Sequence, residues 1–173
     1  LGLLKNHTHI ITGDIDDESV DKAIRWLLYE NFSNENTEKI LTLYINSTGG
    51  SLTDALALVD VMKNSKFVIQ TIGIGNVMSA AFLIFASGAK GLRYVTKNTS
   101  AMCHQFNDAA EGKYHDMQAA MRESEMCNQR MVNILKDATG LPINKVKSKL
   151  LPPSDVYFSA TELLDLNIAD HVL

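Results

Sequence analysis

The sequence predicts a single α/β domain with much parallel strand pairing. Two observations carry this. Short apolar, β-branched runs alternate along the chain with segments whose apolar residues recur at helical spacing. The 173 residues also contain no internal repeat, low-complexity tract or linker, and the three prolines, Pro142, Pro152 and Pro153, all lie near the C-terminus. A chain of this length suffices for one sizeable core and is short for two, so one domain is expected over residues 1–173.

Residues 9–12 read as a short entry strand ending at Gly13. Asp16 and Asp17 can cap a helix that carries Val20, Ala23, Ile24, Leu27 and Leu28 at helical spacing. Residues 40–45 (ILTLYI) read as a buried strand, broken by the loop signal Asn46-Ser47-Thr48-Gly49-Gly50. Leu52, Ala55, Leu56 and Val59 mark a second amphipathic helix. Residues 67–74 are strand-like and closed by Gly73 and Gly75; residues 79–86 are small and apolar throughout, which predicts a buried helix. Residues 92–96 and 101–103 are short strands. Residues 113–139, mixed in charge and rich in Met, Gln and Arg, read as one long exposed helix ending at Gly140. A short helix over 143–150 follows. Ser159-Ala160-Thr161-Glu162 is a capping box for a last helix, and residues 168–172 read as a final strand.

Apolar residues are 46% and charged residues 21% of the chain, a globular balance that excludes wholesale disorder. Lysine plus arginine is 16 and aspartate plus glutamate 20, a net charge of −4 with no basic block, so no nucleic-acid partner is expected. The longest mainly apolar stretch, residues 78–86, is far short of the ~20 residues that cross a bilayer, and no signal-peptide pattern opens the sequence; no membrane partner is expected. Cys103 and Cys127 make neither a disulfide framework nor a metal site and fit a reducing compartment. His7, His9, His115 and His171 are scattered and read as structural or surface residues.

Four segments carry candidate chemistry. In Gly75-Asn76-Val77-Met78-Ser79-Ala80-Ala81 a glycine turn leaves a strand and delivers a serine to the head of a buried apolar helix. Its hydroxyl would lie beside free backbone N–H groups that favour negative charge, which suits an acyl-transfer nucleophile. Serine is also an ordinary N-cap residue. In Met102-Cys103-His104-Gln105 a histidine closes a short apolar strand; alone, it reads as a satisfied structural histidine. In Pro152-Pro153-Ser154-Asp155-Val156-Tyr157-Phe158-Ser159 an aspartate precedes an aromatic pair; alone, it is a turn aspartate. In Tyr44-Ile45-Asn46-Ser47-Thr48-Gly49-Gly50-Ser51 two glycines let backbone N–H groups face a ligand, yet the segment lacks the lysine and spacing of a P-loop.

Taken in order, Tyr44-Ile45-Asn46-Ser47-x-Gly49-Gly50, Gly75-x-x-x-Ser79, Met102-x-His104-Gln105 and Asp155-x-x-Phe158-Ser159-Ala160 resemble the family of proteolytic subunits of the Clp protease, ClpP. Thr12-Gly13 and Gly88-Ala89-Lys90-Gly91 extend the resemblance over nearly the whole chain. It implies the ClpP/crotonase fold, a spiral of β-β-α units with a projecting helical handle, here about residues 113–139. It implies a serine endopeptidase in which Ser79 is the nucleophile, His104 the general base and then acid, and Asp155 the residue that orients the imidazole. The backbone N–H groups of Gly50 and Ala80 would form the oxyanion hole.

Expected partners follow from the same resemblance: further copies of the chain in heptameric rings stacked as a tetradecamer, an AAA+ unfoldase of the Clp type, and short peptides or unfolded chains as substrate. No metal or other cofactor is expected, and the location implied is cytoplasmic, or alternatively an organelle matrix or stroma. Thr48 and Ala80 stand where the family commonly has Pro and Met, which would reshape the substrate groove. Ser154 stands where the family often has an Arg used between rings, and residues 107–112 hold one glycine where the family has a glycine-rich segment. Ring contact is therefore expected to rest on apolar packing. The chain opens at Leu1, where the family's axial loops should have ended, so those loops are expected to be absent or very short. The alternative function is a catalytically weak or inactive ring subunit with an assembly or regulatory role; a complete Ser, His, Asp set counts against it. A membrane-anchored peptidase with a Ser/Lys pair and an acyl-CoA-binding crotonase are the other users of this fold, and neither carries this serine triad.

Overall fold

The computed structural model describes residues 6–33, 38–107 and 111–173. The elements run β1 (Thr8–Ile15), α1 (Asp17–Ser33), β2 (Ile40–Gly50), α2 (Leu52–Lys63), β3 (Val68–Met78), α3 (Ala80–Ala86), β4 (Arg93–Val95), β5 (Ser100–Cys103), α4 (Tyr114–Thr139), α5 (Ile143–Lys149), β6 (Val156–Phe158), α6 (Ala160–Asp165) and β7 (His171–Val172). The fold is mixed α/β on a mostly parallel sheet, as the alternation of patterns predicts.

The sheet order is β1-β2-β3-β4-β7, all parallel, with β5 on β3 and β6 on β5. Strand β3 serves two neighbours in succession. Thr71 to Gly73 pair with β4, and Asn76 to Met78 pair with β5. The sheet therefore turns at β3, and only its last residues reach β5. Strand β6 then pairs antiparallel with β5, Cys103 against Val156.

Each helix buries an apolar face in sequence: α1 against α2, α2 against α3, and α3 against β2, β3 and α4. Helix α3 is enclosed on every side; all seven of its residues are buried, which explains its lack of any polar residue. Helix α1 starts where the Asp16 carboxylate accepts from the Ser19 amide at 2.8 Å. Helix α6 has the predicted box: Ser159 accepts from the Glu162 amide while the Glu162 carboxylate accepts from the Ser159 amide. Helix α4 ends at Gly140 in the left-handed region, φ 74.

The structure differs from the sequence reading in several places, β1 running on past Gly13 to Ile15 and the final strand covering only His171–Val172 among them. The segment 46–50, expected as a loop, continues β2 and pairs with β1, Asp14 against Gly49 and Ile15 against Gly50, after register shifts in both neighbouring ladders. Strand β3 runs past Gly73 and Gly75 to Met78, so the corner falls at Ser79 itself. Strand β6 was not expected; three residues after two prolines carry too little pattern. Helix α4, expected to be exposed, is so only in its first half. Cys127, Met131, Val132, Ile134, Leu135 and Ala138 are buried in the chain's own core, so of Tyr114, Met117, Met121, Met126 and Leu135, the apolar positions that the sequence leaves for another subunit to cover, Leu135 is already covered within the chain.

One polar pair fastens the far side of the sheet. Arg93, 2% exposed, donates through Nε and Nη2 to the two oxygens of Asp170 and through Nη1 to the Ala138 carbonyl. Burial works to raise the Asp170 carboxyl. The hydrogen bonds and charge of Arg93 and the Gly91 amide outweigh it and hold the carboxyl below the usual range. A depressed folded-state value contributes stability above the unfolded carboxyl's ordinary range of about 3.9 and loses it as pH falls through the folded value. Asp170→Asn should leave the guanidinium buried without its counter-charge, at about 3–5 kcal/mol. Denaturant unfolding at pH 7 should show that loss, and the wild-type advantage should shrink below pH 4.

Candidate active site

The site lies where β2, β3 and β5 end together. Parallel strands collect their C-terminal ends on one edge of a sheet, the usual place for chemistry in such folds. Met78 pairs with Met102, and the Ser79 amide donates to the Met102 carbonyl at 2.9 Å. The residues immediately beyond, Ser79 and His104, therefore emerge side by side. Ser79 Oγ and His104 Nε2 are 2.7 Å apart.

Ser79 does not act as a helix cap. It sits at the N-cap position of α3 with φ 53 and ψ −122, and its side chain makes no capping bond. A β-carbon in that region is strained by about 1–3 kcal/mol, and the rotation turns Oγ away from the α3 amides toward the imidazole. The corner is held from below by Asn46, whose Oδ1 accepts from the Asn76 amide at 3.0 Å. Sequence reading did not single out Asn46. Its place in the segment 46–50, next to the glycine pair, was the available signal.

Gly49 of the glycine pair packs against the serine. A β-carbon on Gly49 would stand 2.6 Å from Ser79 Cβ, and one on Gly50 would enter the Ile15 backbone; both residues have positive φ, 106 and 147. Ser51 donates its amide to Ile15. Because successive amides of a strand point to opposite sides, the Gly50 amide turns away from β1, toward the β3 side where Ser79 lies. Ala80 is the first residue of α3, so its amide belongs to the helix's unpaired first turn.

Gly50, Ser79, Ala80 and His104 line one cleft of about 70 Å³, whose apolar wall includes Leu52, Leu83, Phe106 and Met131. Those wall residues were not predicted. They come from three different helices and a loop, and only the fold assembles them.

Asp155 is exposed and makes no hydrogen bond to the imidazole. Its backbone position is nonetheless specific. The β5–β6 ladder pairs Ala101 with Phe158, Met102 with Tyr157 and Cys103 with Val156. The ladder ends there, and the same register continued by one residue would set His104 opposite Asp155, where opposed residues of antiparallel strands carry β-carbons about 4.5–5.5 Å apart. Asp108 and Asp170 are the alternatives to test for the third member should Asp155 fail; Asp170 lies elsewhere, both oxygens taken by Arg93, and Asp108 falls outside the described residues.

The remaining titratable groups have other engagements. Burial pushes the Cys103 thiol up to about 12, so it is neutral beside His104. Burial, then the Glu123 carboxylate, raises the Cys127 thiol as well. His7 bonds Glu30, His9 stacks on Trp26 and His171 stacks on Tyr94. Among the described residues no group of three His, Cys, Asp or Glu side chains could hold a metal ion, and no helix is long and apolar enough to cross a membrane.

A mostly parallel α/β sheet that turns a serine out on a strained strand-to-helix corner, within hydrogen-bond reach of an imidazole, has the layout of a serine hydrolase. A family model described as Clp protease matches residues 2–173. The chain belongs to the Clp protease family, whose members are serine peptidases.

Proposed function

We propose that this chain is an active endopeptidase subunit with Ser79 as nucleophile, His104 as base and Asp155 as orienting carboxylate. The 2.7 Å contact between Ser79 Oγ and His104 Nε2 carries the reading. With the imidazole proton on Nδ1, the serine hydroxyl donates to Nε2. Oγ attacks the peptide carbonyl as its proton passes to Nε2, and the carbonyl oxygen gains the charge. The Gly50 and Ala80 amides are the donors available to that oxygen. Collapse expels the amine, which takes the proton from Nε2, and leaves an acyl-serine. A water then repeats the sequence and frees the acid. The apolar wall of Leu52, Leu83 and Met131 favours an apolar side chain before the scissile bond.

A fluorophosphonate should label Ser79 covalently, found by peptide mapping. A subunit that resists labelling while assembled supports the alternative, a ring member without turnover.

Assembly into paired heptameric rings is proposed on the handle helix. Helix α4 has 26 residues, a span of about 39 Å. Its first half presents Tyr114, 65% exposed, Met117 and Met121, 63% exposed, at i, i+3 and i+7. A helix face of that kind is covered in a stable particle, and the family supplies the same helix of a facing ring. Ser154 offers no charge for an ion pair between rings. Met121→Asp should therefore halve or disperse the particle in light scattering, whereas 0.5 M salt, at which the Debye length is under about 8 Å, should leave the wild type whole. Unfolded chains would reach the chamber through a Clp-type AAA+ unfoldase.

A further inference from the structure

We infer that Gln105 is a positioning residue for the imidazole and its carboxylate partner; the inference rests on the serine-peptidase reading of the site. Gln105 follows His104 directly. Its Nε2 donates to the Leu151 carbonyl at 2.9 Å, across 46 residues of chain. That carbonyl is itself fixed: Leu151 is buried, and its amide and that of Leu150 both donate to Val146 at the end of α5.

The consequence is a bracket. On one side of His104, Cys103 is paired with Val156. On the other, Gln105 is tied to Leu151. Asp155 lies in the short span between Leu151 and Val156, and two of the intervening residues are Pro152 and Pro153, whose φ is locked near −65°. With both ends of the span anchored and its middle stiff, the backbone of Asp155 is held next to the Cys103–Val156 pair, on the side of His104. A glutamine side chain otherwise free in solvent gives up rotamer freedom to hold such a bond. Gln105 is also the wall shared by the catalytic cleft and an adjoining cavity of about 590 Å³, so releasing it loosens the boundary of the cleft as well as the strand.

The test uses the full assembled chain and the rate of Ser79 labelling by a fluorophosphonate as a function of pH. Gln105→Met keeps the length and removes the donor. It should slow labelling between about 10- and 100-fold, the scale of a small misplacement of reacting groups. Gln105→Arg, whose Nε stands the same number of bonds from the backbone as the glutamine Nε2, should restore most of the rate. In the Asp155→Asn background, Gln105→Met should add almost nothing. A Gln105→Met variant that labels within twofold of wild type overturns the inference. So does one whose loss multiplies in full with that of Asp155→Asn. A folded wild type that takes no label refutes the peptidase reading instead. The bracket is then judged on amide hydrogen exchange in the β5–β6 ladder, which Gln105→Met must speed and Gln105→Arg restore.

Discussion

Ser79→Ala should abolish peptide hydrolysis, with a loss on the order of 10⁶ in kcat, as when one member of a concerted serine–histidine unit is removed. His104→Ala should lose about as much, and the double variant no more than either. The structure makes the substitution clean. Ser79 Oγ caps nothing in α3, and its one side-chain bond is to His104 Nε2. Alanine keeps the β-carbon that Gly49 packs against, so the assembled particle should be unchanged in light scattering. A second variant separates chemistry from strain. With φ 53 and ψ −122 the corner suits glycine better than any residue with a side chain. Ser79→Gly should therefore be as inactive as Ser79→Ala, yet melt higher than that variant. An inactive protein stabilised by losing its serine would mark the corner as strain retained for the hydroxyl's position. Near-wild-type turnover by purified Ser79→Ala would remove Ser79 from the mechanism.

Much of this was legible in the sequence because its signals are local. The helix of residues 79–86 is apolar on every side, and only a buried helix can be so; the box at Ser159 and Glu162 is read within four residues. Helix α4 was found within a residue of each end because its periodicity runs for seven turns and stops at a glycine. What was not legible depends on pairing between distant strands. Residues 46–50 look like a loop in composition, yet they are strand because β1 offers an edge to bond, with register shifts absorbing the glycines. The cap reading of Ser79 was reasonable from sequence and differs from the structure, since cap geometry depends on a backbone rotation that the residue type does not encode. Gln105 stood out only as a member of the Met102-x-His104-Gln105 motif; its bond to a carbonyl 46 residues away is one that no local pattern reports.

Asp155→Asn should leave the fold and the assembly intact and lower kcat by about 10⁴, the scale set by a triad whose histidine is held in the wrong tautomer. The expectation rests on register: Cys103 opposes Val156, and the same register continued by one residue would set Asp155 opposite His104. Asparagine has the same size and would present its amide N–H toward Nδ1. That favours the proton on Nε2, where it faces Ser79 Oγ and blocks its role as acceptor. Asp155→Ala should be less harmful than Asp155→Asn for this reason, because the imidazole then chooses its tautomer freely. The ordering distinguishes an orienting carboxylate from a surface aspartate, for which both variants would be silent. Asp170→Asn is the control: its carboxylate is bound by Arg93 and the amides of Gly91 and Arg93, so it should lower stability while leaving the turnover of the folded fraction as it was. Full activity of Asp155→Asn at saturating peptide would place the third member of the site elsewhere in the chain.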